Sequence, residues 1–162
     1  MDTGKQQEQP LPKSPGTDVR PVILVLVDET AGSLASLLLA ADIAAAQQGR
    51  LHVAHVSPPR MWWGAMAAMP QPADLFAEAD QADAGRLRDR AGDVLALGTP
   101  VEWTFTWTRD LVHRTVIRLV SELSPAAVVV LSTPRRHWFS MRPSLARWLI
   151  GRPNVRAVVI PA

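Results

Sequence analysis

The stretch that decides the fold is VILVLVDETAGSLASLLLAADIAA, residues 22–45. Val22–Val27 is an unbroken β-branched and leucine run with no polar alternation. Both faces are apolar, which suits a strand buried in the middle of a parallel sheet. Asp28 ends the run. From Thr30 to Gln48 apolar residues then recur at helical spacing, with Leu34, Leu37, Leu38, Ala41 and Ala45 on the inward face. Thr30 or Ser33 can cap the start, and Gly49 is expected at the first position past the helix end. A buried strand running straight into a helix is half of a βαβ unit.

The alternation continues outward from that unit. LHVAHV, residues 51–56, is a second strand stopped by Pro58 and Pro59. A mostly polar helix follows over about Ala73–Leu97. Val101–Trp107 alternates large apolar residues with Glu102, Thr104 and Thr106, the pattern of an edge strand with one wet face. Leu111–Leu123 is amphipathic, with Asp110 at the positive end of its dipole. Ala126–Leu131 is again apolar on both faces. Leu145–Ile150 makes a short helix and Val155–Ile160 a last strand. The order βαβαβαβαβ predicts a single α/β domain over residues 21–162, a parallel sheet with helices on both faces. Ligands of such sheets bind beyond the carboxyl ends of strands, where the strand order reverses. The residues at those ends are Asp28, Ser57, Thr108, Ser132 and Thr133.

Composition narrows the field. The chain has 162 residues and no cysteine, which excludes disulfides, thiolate metal sites and cysteine nucleophiles. Residues 1–20 are rich in Gln, Pro and Lys and nearly lack large apolar residues, so they read as a flexible tail with no secretory signal. No apolar run is long enough to span a bilayer, and a cytoplasmic location is the default. Net charge is +2, with the basic excess gathered after residue 108. That Arg-rich part can meet phosphates, an acidic partner, or the acidic half of its own fold.

Three segments together resemble the universal stress protein family: residues 22–45, GRLHVAHVSPP at 49–59, and LSPAAVVVLS at 123–132 with PSLARWLIGRPNVRAVVIPA at 143–162. The resemblance implies a flavodoxin-like (Rossmann-like) five-stranded parallel sheet in the order 3-2-1-4-5. It also implies dimerisation through the last strand, Val155–Ile160, an apolar edge that can pair with its copy. Many members bind ATP. The family's adenine contacts correspond to Asp28 and a position near Val56. Its phosphate loop, G-x-x-G, nine residues, then G-[ST], has Leu131, Pro134 and Pro143 at its glycine positions and Ser144 at the Ser/Thr. Proline lacks an N–H, so Pro134 and Pro143 each remove a phosphate donor.

The leading expectation is therefore a non-catalytic stress-response module without a bound cofactor, acting by dimerisation or partner binding. The alternative is a sensor for ATP, another adenine nucleotide or a small anion. Its site would comprise Asp28, Val56, Ser132, Thr133 and Ser144, with Arg135, Arg136 and Arg142 replacing the lost backbone donors. Asp28 can instead simply receive N–H bonds from the helix that follows it. Nucleic acid is the least favoured ligand, through the Arg/Trp stretch 134–148 with Trp138, Arg147 and Trp148. Met61–Met69, MWWGAMAAM, is uncharged and offers a partner surface or a small core of its own. His52 and His55 lie three apart on one strand and point to opposite faces, so they do not share a metal. His55 reads as a satisfied core histidine. Arg114 and Arg118 read as a solvated face, paired with acidic residues of helix 73–97. No nucleophile and base stand at a recognisable spacing, so no enzyme is expected.

Overall fold

The computed structural model describes residues 20–57, 73–132, 145–152 and 155–161. Nine elements alternate along them: β1 (Val22–Val27), α1 (Ala31–Ala46), β2 (Arg50–Ser57), α2 (Ala73–Ala96), β3 (Trp103–Arg109), α3 (Val112–Leu123), β4 (Ala127–Ser132), α4 (Leu145–Ile150) and β5 (Ala157–Pro161). All strand pairs are parallel and the sheet order is β3-β2-β1-β4-β5. The expected α/β architecture is therefore the observed one, and β1, apolar on both faces, lies at its centre.

Two cores flank the sheet. On one face α1 and α2 cover Ile23, Val25, Leu51, Val53 and Val129 with Leu37, Leu87 and Leu95. On the other, α3 and α4 cover Leu24, Ala54, Val128 and Val130 with Val116, Leu119 and Leu149. α2 looks polar in sequence, yet Ala84, Leu87, Ala91 and Leu95 form one buried stripe at helical spacing. The two helices that follow β1 and β2 share a face, and those that follow β3 and β4 share the other. Winding therefore reverses between β1 and β4, which makes their carboxyl ends the switch point.

Local sequence rules place α1, with one correction. Thr30 caps its start, the hydroxyl accepting from the Ser33 N–H at 3.2 Å. At the other end Gly49 does not take the left-handed position assigned to it. Gln48 does, at φ 52°, at a cost of about 1–2 kcal/mol for a residue with a Cβ. The Gln48 N–H donates to Ala45 O and the Gly49 N–H to Ala44 O, a Schellman closure. Gly49 is needed one step later for a different reason. A Cβ there would sit 2.4 Å from the Pro21 carbonyl oxygen, which also accepts the Arg50 N–H. Close approach of β2's start to β1's start selects the glycine, and helix termination accepts what remains.

Other boundaries shift by small amounts. β3 begins at Trp103 rather than Val101 and runs on to Arg109, because β2 continues to Ser57 and pairs with it there. It is a sheet edge, as its wet face suggests. The last strand begins at Ala157; Val155 and Arg156 precede it. Arg114 does not reach α2. It lies 3.8 Å from Asp110, one turn back on its own helix. The tail before residue 20 and the segment Met61–Met69 lie outside the described residues.

Candidate functional site

The switch point carries a cleft of about 250 Å³. Its lining includes Leu26, Val27 and Asp28 from the end of β1, Ala54 and Val56 from β2, and Val130 from β4. Val112 and Leu145, in the first turns of α3 and α4, close the other side, and Ser33 of α1 contributes a hydroxyl. The opening exists because the β1–β4 ladder stops at Val25 and Val129 while β1 runs on two residues further. The walls are almost wholly aliphatic, with one carboxylate. Such a slot suits a flat heterocycle whose N–H edge meets Asp28. Its volume is near the lower end for small-molecule sites, roughly 300–1,000 Å³.

Asp28 is held by its neighbours. Its Oδ1 accepts from the Thr30 N–H at 2.9 Å and from the Thr30 hydroxyl at 2.5 Å. Its own N–H donates to Ser33 Oγ at 2.7 Å. Of the two roles weighed for Asp28, the one at the helix start is visible in the bonds to Oδ1, and the residue also lines the cleft.

The cleft joins Asp28 and Val56, the two positions at which the resemblance implies adenine contacts. Ser132 ends β4, beside Pro161 of β5. Thr133, Arg135, Arg136, Arg142 and Ser144 lie outside the described residues, as do Pro134 and Pro143. Trp148, part of the Arg/Trp stretch considered above for nucleic acid, is engaged within the fold. The His113 ring meets it edge-on at 5.3 Å between centroids, and the Arg152 guanidinium sits 4.5 Å over its ring. These contacts tie α3 to α4 behind the wall formed by Val112 and Leu145.

A polar chain on the opposite face of the sheet was not legible in the sequence. The Trp107 indole N–H donates to Ser57 Oγ at 3.2 Å, and Ser57 Oγ lies 3.1 Å from His55 Nε2. His55 Nδ1 lies 2.9 Å from the Val27 carbonyl oxygen. The nearest signal was the placement of Ser57 at a strand end. Below it Asp80 of α2 is buried and pairs with Arg109 of β3. Among the described residues no group of three His, Asp or Glu side chains is arranged to hold a metal ion, and no helix is long and apolar enough to cross a membrane.

His52 faces α3. Its Nδ1 shares a 2.8 Å hydrogen bond with Thr104 Oγ1 of β3, while Nε2 is buried without a hydrogen-bond partner. Burial, and secondarily the Arg50 charge, hold this imidazole below its ordinary range. The unfolded chain therefore binds the proton more readily. Stability from neutral His52 is present above about pH 6.5 and is lost as pH falls below it. The thermal midpoint should drop between pH 8 and pH 5, and the drop should be smaller in His52→Gln. An identical pH slope in that variant would remove His52 as the cause.

Comparison with known proteins agrees with this geometry. No curated protein sequence matches the chain. Among solved structures, the universal stress protein UspA of Lactobacillus plantarum superposes with a TM-score of 0.67 at 16% identity, covering 87% of this chain and 97% of that one. A universal stress protein family member from Burkholderia pseudomallei gives 0.64 at 19%, covering 88% and 97%. A universal stress protein in complex with cAMP gives 0.54 at 17%, again covering 88% and 97%. The model of the universal stress protein family matches residues 20–159. Nearly the whole chain is covered, with strand order and switch-point cleft in place, and the chain belongs to the universal stress protein family.

Proposed function

We propose that this protein is a non-catalytic stress-response module that takes an adenine nucleotide in the Asp28–Val56 cleft. The observation that carries the reading is that Asp28 and Val56 line one aliphatic slot at the strand-order reversal. The slot has room for a base and part of a sugar. Phosphates repel the Asp28 carboxylate and so extend away from it; in sequence, the segment 134–144 holds Arg135, Arg136, Arg142 and Ser144. With prolines at two glycine positions of that segment, guanidinium groups supply donors that backbone N–H groups supply elsewhere. That a similarly folded protein was crystallised with cAMP supports the class of ligand.

The test is direct. Purified protein is denatured and the released small molecules are identified by mass spectrometry. Melting temperature is then measured against ATP, ADP, AMP and cyclic AMP with magnesium. Ligand at about a hundred times Kd stabilises by about 2.7 kcal/mol, which for a chain of this size is a rise of several degrees. No released nucleotide and no shift at millimolar ligand would sink the proposal.

A second reading rests on a separate observation. Among the described residues β5 pairs only with β4, and Ala157–Ile160 are half-buried apolar residues on that edge strand. Pairing of this strand with its copy is the expected dimer, and the mass in solution decides it. A monomer at all concentrations removes that reading and leaves the first untouched.

A further inference from the structure

We propose that His55 is the positioning residue of the cleft, fixing the Val27–Asp28 peptide from the opposite face of the sheet. The inference rests on the reading of the cleft as a ligand site, and it names what holds Asp28 in place there.

Chemistry sets the direction of the chain Trp107–Ser57–His55–Val27. A carbonyl oxygen only accepts, so the 2.9 Å contact to Val27 requires the proton on Nδ1 of His55. In neutral imidazole Nε2 is then an acceptor, and the Ser57 hydroxyl donates to it across 3.1 Å. Ser57 Oγ in turn accepts from the Trp107 indole, which can only donate. Each donor has one acceptor, so the tautomer and ring orientation are fixed together. The register places His55 directly opposite both Val27 and Trp107, on the strands either side of β2.

The tip of β1 needs this support. On the β4 side its ladder has already ended at Val25, which is what opens the cleft. Beyond that point the Val27–Asp28 peptide is held at both ends by side chains: its carbonyl by His55, its N–H by Ser33 Oγ at 2.7 Å. His55 is not part of the cleft lining, whereas its strand neighbours Ala54 and Val56 are. It acts on a ligand only through Asp28, as an outer support that holds a contacting group within a fraction of an ångström.

Three variants separate the two ring nitrogens. In His55→Asn the amide nitrogen occupies the place of Nδ1 and keeps the donor to Val27. In His55→Gln it reaches the place of Nε2, and that donor is lost. Ser57→Ala removes the hydroxyl that fixes the tautomer. In unliganded wild type at pH 8, nitrogen-15 spectra should show His55 protonated at Nδ1, and Ser57→Ala should shift it toward the Nε2 form. Exchange of the Asp28 amide hydrogen should quicken about tenfold in His55→Gln and stay within about threefold in His55→Asn. Adenine-nucleotide affinity should follow the same order.

His55 protonated at Nε2 in the wild type, or His55→Gln with wild-type exchange at Asp28, overturns the inference. Both readouts need no ligand. A wild type that binds no nucleotide sinks the proposed function, while tautomer and exchange still judge the positioning role.

Discussion

Asp28→Asn should weaken adenine-nucleotide binding about ten- to a hundredfold while leaving the melting temperature of the unliganded protein almost unchanged. Asp28→Ala should lose the same affinity and about 1 kcal/mol of stability as well. The difference follows from the two jobs of one side chain. Oδ1 accepts two hydrogen bonds from Thr30, whose own hydroxyl caps α1 at Ser33. Asparagine retains a carbonyl oxygen for those bonds, and alanine does not. Neither keeps the charge. Hydrogen bonds to charged groups contribute roughly 1.5–3 kcal/mol, which sets the expected loss of affinity. Isothermal titration on the three proteins, with melting curves beside it, separates the terms. Wild-type affinity in Asp28→Asn would move the ligand out of this cleft.

The element order was legible because each strand is a short apolar run and each helix has a punctuated start or end. Sheet order was not contained in spacing; it came with the family likeness, since a βαβ repeat alone does not say on which side of β1 the chain continues. Legibility fails where a residue's surroundings come from another strand. Trp107, Ser57 and His55 look like an edge aromatic, a strand end and a core histidine until the β2–β3 register sets them side by side. Asp80 reads as one more charge on a polar helix, yet it is buried because Arg109 arrives from β3 to meet it. At the site, Asp28 and Val56 stand at strand ends where topology points. Val112 and Leu145 form the facing wall only because α3 and α4 share one side of the sheet.

The three consecutive leucines of α1 give the second large effect. Periodicity places Leu37 and Leu38 together on the inward face. In the structure Leu37 is 0% exposed, while Leu38 and Leu39 are 36% and 41% exposed. α1 is apolar nearly all round, so its pattern constrains rotation weakly, and packing chooses. Leu34, Ala40, Ala41 and Ala44 turn inward with Leu37, the alanines letting the helix lie close on the sheet. Leu37→Ala should therefore cost about 2–5 kcal/mol. Each kcal/mol corresponds to roughly 2–4 °C of melting temperature in chains of 150–250 residues. Leu38→Ala removes a partly exposed side chain whose Cδ2 lies close to Gly98, and it should cost about 1 kcal/mol or less. The comparison reaches the cleft, because Ser33 is one turn before Leu37 on the same face and holds the Asp28 N–H. Equal losses at Leu37 and Leu38 would mean a helix turned by about 50°, half the angle between successive residues. Ser33 would then be carried out of reach of the Asp28 N–H, and the cleft would lose that hydroxyl.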